Sequence, residues 1–238
     1  GLKSKRGLPG DAGLDRRGPA APSPRRATTP SIHSAVRRRF AKLGAAANVP
    51  ESAPPRNAEA YSVYLRSAAI SRDPAPNRDA ITLLEKSVAL DPNFAPAWHA
   101  LGLRYYYEGT YGGGGSVPYG KARSAYERAL SLDPNQVAAA SNLAILKTEA
   151  GDFETAYDDA MALVRRRPDS PEAHHTLGYV LRYAGLLEEA ARQCDASMSL
   201  DPTNYRWRSC ALNFLLLGRY ERAKQFIALD AGSIWANN

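Results

Sequence analysis

The chain has 238 residues, of which 44% are hydrophobic and 23% are charged, and its formal net charge at pH 7 is +7. It contains no apolar run long enough to span a membrane, and its two cysteines are too few for a disulfide framework and lack zinc-site spacing. Residues 1–50 contain eleven lysines and arginines but two aspartates, a segment charge of +9, which leaves −2 for the remainder.

Residues 1–57 are predicted to form a basic, proline-rich disordered tail or linker, because they bury too little apolar surface to offset the entropy of the chain. Four apolar side chains recur at helical spacing within it: Ile32, Val36, Phe40 and Leu43. Basic residues flank this stretch, which favours a nascent helix in a solvated tail. The alternative is that the basic tail contacts nucleic acid or a membrane surface.

From residue 58 the chain repeats a helix–turn–helix pattern with a period of about 34 residues. The clearest markers are four prolines that follow an aspartate or an arginine: Pro92, Pro134, Pro168 and Pro202. The last three are spaced by 34 residues, whereas the first two are 42 residues apart. An insertion of eight residues explains the difference and is visible as the glycine-rich stretch 109–118, which we expect to be a loop. We expect an elongated flexible turn over Gly115 to Lys121.

Within each period, small and large apolar residues recur at spacings of three and four, which is typical of amphipathic helices. Ten of them are predicted to form the repeat core: Trp98, Leu101, Gly102, Tyr105, Ala122, Tyr126, Ala129, Leu177, Gly178 and Ala190. Gly102 and Ala122 would let the two helices of one hairpin approach closely. The junction prolines would end the second helix, because proline has no N–H to donate.

The core residues of the second period carry a resemblance. The spacing Trp98-x2-Leu101-Gly102-x2-Tyr105, followed by Ala122, Tyr126, Ala129 and Pro134, resembles the tetratricopeptide-repeat (TPR) consensus. The resemblance covers residues 58–238 and implies an all-α, right-handed α-α superhelical solenoid of TPR helix hairpins. The expected repeats are about 58–92, 93–134, 135–168, 169–202 and 203–234.

The residue pattern of the first two repeats, from Ala60-Tyr61 to Trp98, is also similar to that of the TPR regions of bacterial multidomain regulators. In those proteins such repeats often follow a Ser/Thr kinase, a nucleotide cyclase or a winged-helix DNA-binding domain. The present chain contains none of these domains. The resemblance therefore leaves open that it is the sensory or regulatory part of a larger regulator.

In a TPR solenoid the first helix of each repeat lines the inner face. If Ala95, Val137, Pro171 and Tyr205 are the first positions of successive repeats, ten residues are expected to line a partner-binding groove: His99, Tyr106, Tyr107, Ser141, Asn142, His175, Tyr179, Arg182, Tyr183 and Arg206. The same stripe includes Leu103, Ile145, Glu149, Ser209 and Asn213. Tyrosine supplies contact area and a hydroxyl, and arginine pairs with carboxylates or stacks on rings. We therefore expect a protein or peptide partner.

Some TPR proteins clamp a C-terminal carboxylate with paired Lys, Asn and Arg side chains. Of the corresponding positions in this chain, Asn142 alone matches, so a clamp for C-terminal chaperone peptides is not expected.

No set of residues predicts catalysis. Gly115 to Lys121 has the G-x4-G-K spacing of a phosphate-binding loop, but Ala122 follows the lysine and Pro118 lacks an N–H. The four histidines are too dispersed for a metal site, and Cys194 is predicted to be a buried, inert thiol. We expect no enzyme activity, no cofactor and no metal, and the low cysteine content favours a cytoplasmic location.

Overall fold

A computed structural model describes residues 54–231 of the chain, which form ten α-helices and no β-strand. The helices are α1 (Ala58–Ala68), α2 (Pro74–Leu90), α3 (Ala95–Tyr111), α4 (Ser116–Leu132), α5 (Val137–Glu149), α6 (Phe153–Arg166), α7 (Pro171–Tyr183), α8 (Leu187–Leu200), α9 (Ala211–Leu216) and α10 (Tyr220–Ile227). Two 3-10 helices, Tyr205–Cys210 and Ala228–Asp230, precede α9 and follow α10. None of the described helices is both long and apolar enough to cross a membrane.

Consecutive helices pack as five hairpins, from α1/α2 to α9/α10, and each hairpin packs against the next along the chain. The prediction of an all-α solenoid of helix hairpins is confirmed. Prolines and polar caps define the helix starts: Pro74 and Pro171 stand in the first turns of α2 and α7, and the side chain of Ser170 accepts from the N–H of Ala173.

The close approach of paired helices depends on glycine. A Cβ atom on Gly102 of α3 would lie 2.7 Å from ring atoms of Tyr126 on α4. A Cβ atom on Gly178 of α7 would lie 3.3 Å from the carbonyl oxygen of Ala190 and from Sγ of Cys194 on α8. In these two hairpins, glycine has no side chain and so leaves room for a larger side chain on the partner helix.

Eight of the ten predicted core residues are buried. The other two, Trp98 and Tyr105, are partly exposed. The indole N–H of Trp98 donates to the carbonyl oxygen of Pro92 at 2.9 Å, and the hydroxyl of Tyr105 donates to Glu85. Their polar edges reach the surface while their rings pack on the core.

The glycine-rich insertion is mostly helical, so the predictions of a loop over residues 109–118 and of a flexible turn over Gly115 to Lys121 are wrong. Helices α3 and α4 each have 17 residues, whereas α5 has 13 and α6 has 14. Residues 112–115 alone form the turn, and Gly113 and Gly115 adopt positive φ there. Most of the inserted residues therefore lengthen the second hairpin by about one helical turn per helix.

The start of the solenoid also differs from the prediction. Arg56 and Asn57 were expected in the tail, but the backbone N–H of Arg56 donates to Asp91 Oδ2 at 2.7 Å. Asn57 is the N-cap of α1, and its Oδ1 accepts from the backbone N–H groups of Glu59 and Ala60. These two residues therefore belong to the first hairpin. The rest of the predicted tail up to residue 53, with the basic helix predicted within it, lies outside the described residues, as do residues 232–238.

The repeat register of the fifth hairpin is shifted by one residue from the predicted one, which started this repeat at Tyr205. Ring nitrogens of Trp98, His174 and Trp207 each contact the carbonyl oxygen six residues earlier, at 2.9, 3.1 and 2.9 Å. Trp207 therefore occupies the position of Trp98 in its repeat, whereas a repeat starting at Tyr205 would place residue 208 there. As a consequence Asn213, which was predicted to face the groove, is buried and donates to the carbonyl oxygen of Leu187 at 3.2 Å.

Cys194 is not a free thiol, in contrast to the sequence prediction. It forms a disulfide with Cys210, across a Cα–Cα distance of 5.9 Å. Cys194 lies on α8 where Tyr126 lies on α4, and Cys210 ends the 3-10 helix of the fifth hairpin. No sequence pattern indicated this pair, because its 16-residue separation matches no motif.

Candidate partner-binding groove

A single carboxylate joins the first helices of three successive hairpins. Glu149, at the end of α5, accepts hydrogen bonds through Oε1 from the hydroxyl of Tyr106 on α3 at 2.8 Å and from that of Tyr179 on α7 at 2.7 Å. Burial raises the pKa of both tyrosines, and the charge of Glu149 raises it further. Both hydroxyls therefore stay protonated near neutral pH and can donate to the carboxylate.

Arg182 lies beside this cluster. Its guanidinium carbon is 4.8 Å from the ring centroid of Tyr179 and 5.3 Å from that of Tyr183, and the two rings are 5.0 Å apart. Its Nη1 donates to the carbonyl oxygen of Ser209 at 2.6 Å. Among the described residues no carboxylate forms an ion pair with Arg182, so its charge is compensated by ring faces and a carbonyl dipole.

Arg206 extends the cluster towards the fifth hairpin. Its Nη1 lies 2.9 Å from Oε1 of Glu172 on α7, and its side chain remains 43% exposed. Side chains from four hairpins are therefore linked to helix α7, since Tyr106 reaches Tyr179 through Glu149 and Arg206 pairs with Glu172. We call the residues Tyr106, Glu149, Tyr179, Arg182, Tyr183 and Arg206 the inner-face cluster.

Two histidines contact polar side chains of the neighbouring hairpins. Nε2 of His99 lies 2.9 Å from the amide nitrogen of Asn142, and Nε2 of His175 lies 2.8 Å from Oγ of Ser209. Burial, together with the smaller effect of the nearby charge of Arg206, lowers the pKa of His99 to about 4 and that of His175 to about 3. Both imidazoles are therefore neutral at physiological pH.

No family model matches the chain. It is 33% identical over 86 residues to the small glutamine-rich tetratricopeptide repeat-containing protein 2 of Mycosarcoma maydis. That match covers 36% of this chain and 24% of the relative, so the chain spans about a quarter of that protein's length.

Several solved structures share the fold. TTC0263, a thermophilic TPR protein of Thermus thermophilus, superposes with a TM-score of 0.61 at 16% identity, covering 75% of this chain and 93% of that one. PilF of Pseudomonas aeruginosa gives 0.55 at 19% identity, covering 73% and 75%. MamA of Desulfovibrio magneticus gives 0.50 at 16% identity, covering 73% and 94%. The described residues fold as a TPR solenoid.

In this TPR solenoid the ten predicted groove residues fall into two groups. Six are partly or fully exposed: Tyr106, Tyr107, Tyr179, Arg182, Tyr183 and Arg206. The half-buried His99 and Asn142 bond to each other, and Ser141 and His175 are buried at 1% and 8% exposure. The prediction that Ser141 and His175 line an accessible groove is therefore corrected, because both side chains are buried.

Three further side chains of the TPR solenoid lie near the tyrosines of α3 but were absent from the prediction. Tyr111 packs 5.7 Å from Tyr107, Tyr119 packs 6.0 Å from Tyr106, and the guanidinium of Arg72 lies 5.3 Å from the Tyr107 ring centroid. The sequence did contain a signal for Tyr111, because Tyr107 and Tyr111 are four residues apart, as neighbours on a helix are. It was missed because the insertion was read as a turn.

The TPR solenoid places the G-x4-G-K sequence in a helix. Gly120 and Lys121 lie in the interior of α4, where their backbone N–H groups are committed to helical hydrogen bonds. Lys121 lines a surface cavity of about 270 Å³ together with Arg78, Glu85 and Glu108, so two carboxylates offset the two cations there. Among the described residues no group of three histidine, cysteine or acidic side chains could hold a metal ion.

Proposed function

We propose that the chain is a non-catalytic protein-interaction scaffold that binds a peptide or a partner domain on the inner face of its TPR solenoid. The observation that supports this proposal most strongly is the inner-face cluster. It combines tyrosine rings, a carboxylate and an arginine that has no acidic partner within residues 54–231 on one accessible surface. Such a mixture can recognise side chains and backbone groups of another protein.

The cluster is preorganised, which favours binding. Glu149 holds the hydroxyls of Tyr106 and Tyr179, and Arg182 holds Tyr179 and Tyr183 at a fixed spacing. A partner therefore meets side chains that have already lost much of their conformational freedom, and less entropy is lost on binding. Tyrosine is suited to such a surface because a large contact area is ordered by two torsion angles.

The test of this proposal uses defined peptides. Peptides are selected by phage display against the 238-residue chain, and their affinities are then measured for a groove variant, Tyr179→Ala with Arg182→Ala. The matched control is Tyr157→Ala with Arg165→Ala, which removes the same residue types from exposed positions of α6. We expect the groove variant to lose at least about tenfold in affinity, with the control unchanged. Equal affinities for the two variants would refute the proposal.

Other expectations from the sequence stay predictions. A nucleic-acid or membrane contact through the basic tail falls outside the described residues. Membership of a larger bacterial regulator depends on what domain, if any, is encoded beside this chain. A cytoplasmic location has to be reconciled with the Cys194–Cys210 bond, because disulfides in reducing compartments are usually transient and redox-active.

A further inference from the structure

A covalent bond crosses the boundary between the fourth and fifth hairpins. Cys194 on α8 and Cys210 at the end of the 3-10 helix are 2% and 3% exposed and pack with Trp207 and Phe214 in one apolar cluster. No other disulfide and no free cysteine occurs among the described residues. The bond therefore joins the final described hairpin to the rest of the solenoid.

The segment that this bond holds is unusual within the repeat. Tyr205–Cys210 is a 3-10 helix, whereas the first helices of the second, third and fourth hairpins are α-helical from their starts. Hydrogen bonds in a 3-10 helix have poorer geometry than those in an α-helix. The segment therefore depends more than its counterparts on tertiary contacts, among which the disulfide is the covalent one.

The same segment supports the inner-face cluster. Ser209 directly precedes Cys210, and its carbonyl oxygen accepts from Arg182 while its hydroxyl lies 2.8 Å from Nε2 of His175. Arg206, in the same segment, pairs with Glu172. Displacement of the segment would therefore remove Arg206 from the groove and release Arg182 from its anchor.

We propose that the Cys194–Cys210 bond is a thiol–disulfide exchange site that controls partner binding on the inner face. The oxidised chain binds, and reduction by a cellular dithiol weakens binding. This inference rests on the proposed function, because it concerns the regulation of that same groove. Its physical basis is the position of Cys210 next to Ser209, which links the redox state of a buried sulfur to the geometry of Arg182.

One dithiol molecule supplies the two electrons that reduce the Cys194–Cys210 disulfide. A thiolate of the dithiol attacks one sulfur of the disulfide and forms a mixed disulfide, releasing Cys194 or Cys210 as a thiolate that takes up a proton. The second thiol of the reductant then attacks the mixed disulfide and releases the other cysteine. Two electrons and two protons pass to the chain, and the dithiol becomes a disulfide. Because both sulfurs are buried, the reaction requires local opening of the fifth hairpin.

The experiment uses the 238-residue chain after treatment with oxidised glutathione and again after reduction with dithiothreitol. Alkylation and mass spectrometry count the free thiols in each state. Hydrogen exchange is then measured over residues 205–216, with α5 and α6 as internal references. We expect reduction to accelerate exchange in 205–216 alone, and reoxidation to reverse the change.

The affinity arm uses a peptide selected against the oxidised chain. We expect reduction to lower its affinity about fivefold to tenfold, and we expect Cys194→Ala to bind weakly and to ignore the reductant. Two free thiols after oxidation, or unchanged exchange and affinity on reduction, would overturn the inference. If affinity falls in the Tyr179→Ala/Arg182→Ala variant but not on reduction, the groove proposal stands and the redox inference fails. If no peptide depends on the groove, the function fails, and with it the redox inference that rests on it.

Discussion

Asn142 Nδ2 donates to His99 Nε2 at 2.9 Å, from the first helix of the third hairpin to that of the second. An amide NH₂ group can only donate, so the imidazole nitrogen accepts and is unprotonated. His175 and Ser209 make the equivalent contact between the fourth and fifth hairpins at 2.8 Å. Neutral histidines therefore stabilise two of the interfaces along the solenoid.

The first prediction concerns pH. The folded-state pKa is about 4 for His99 and about 3 for His175, both below the unfolded value of 6.5. Protonation therefore favours the unfolded chain, so full stability is present above pH 6.5 and is lost as the pH falls from 6.5 towards 4. At pH 5.5 each histidine should lower the free energy of unfolding by about 1 kcal/mol.

Urea unfolding of the wild type and of His99→Gln and His175→Gln at pH 7.5 and 5.5 measures this effect. Glutamine keeps a hydrogen-bonding side chain but does not titrate in this range. Each variant should therefore lose less stability than the wild type between the two pH values. Equal losses in all three chains would show that the two histidines do not titrate on unfolding.

The second prediction concerns the buried Arg104, which the sequence did not single out. Its guanidinium donates to the backbone carbonyl oxygens of Ser67, Ile70 and Ser71 at 2.7–2.8 Å, at the end of α1. A cation at a helix C-terminus satisfies carbonyls that have no partner within the helix. Arg104→Met should lower the free energy of unfolding by about 2–3 kcal/mol, because these acceptors lose their charged donor.

Chemical denaturation checks the value, and amide hydrogen exchange should show faster opening in α1. The control is Arg66→Met, since Arg66 is exposed in the last turn of the same helix. That substitution should change stability by less than about 0.5 kcal/mol. The explanation by capping fails if both variants lose the same stability.

The third prediction compares two glycines in the second hairpin. A methyl group at Gly102 would meet the Tyr126 ring at 2.7 Å, whereas no atom lies within 4 Å of the corresponding point at Gly120. Gly102→Ala should therefore lower stability by about 1–3 kcal/mol through overpacking. Gly120→Ala should raise it by about 0.5–1 kcal/mol, because alanine is the better helix former. Thermal melts of the two variants should move in opposite directions, and shifts of the same sign would contradict this account.

The sequence predicted the fold well because its signal is local and repeated. Apolar spacing and junction prolines define each hairpin, and the hairpins recur along the chain. The prediction failed where a one-residue shift changed the repeat register, and where tertiary packing determined the length or pairing of segments. The 3-10 start of the fifth hairpin moved Asn213 into the interior, and glycines that favour turns were accommodated in the longer α3 and α4. The Cys194–Cys210 bond depends on helix packing, which spacing in the sequence does not reveal.

The last prediction concerns the link between Glu149 and Tyr179, which a double-mutant cycle can isolate. The hydroxyl donates to the carboxylate at 2.7 Å on a surface that is only partly exposed, so the bond should contribute about 1–2 kcal/mol to stability. Tyr179→Phe and Glu149→Gln remove a donor and a charge with little change of shape. Because the two residues contact each other, the double variant should lose less stability than the sum of the single variants.

Tyr106→Phe should couple to Glu149→Gln in the same way, since both hydroxyls share Oε1 of Glu149. The control pair is Tyr157→Phe with Glu149→Gln, because Tyr157 lies exposed on α6 and should give a coupling energy near zero. Peptide affinity measured on the same variants separates stability from recognition. If the folded Glu149→Gln chain binds its peptide as tightly as the wild type, preorganisation by this carboxylate does not contribute to binding.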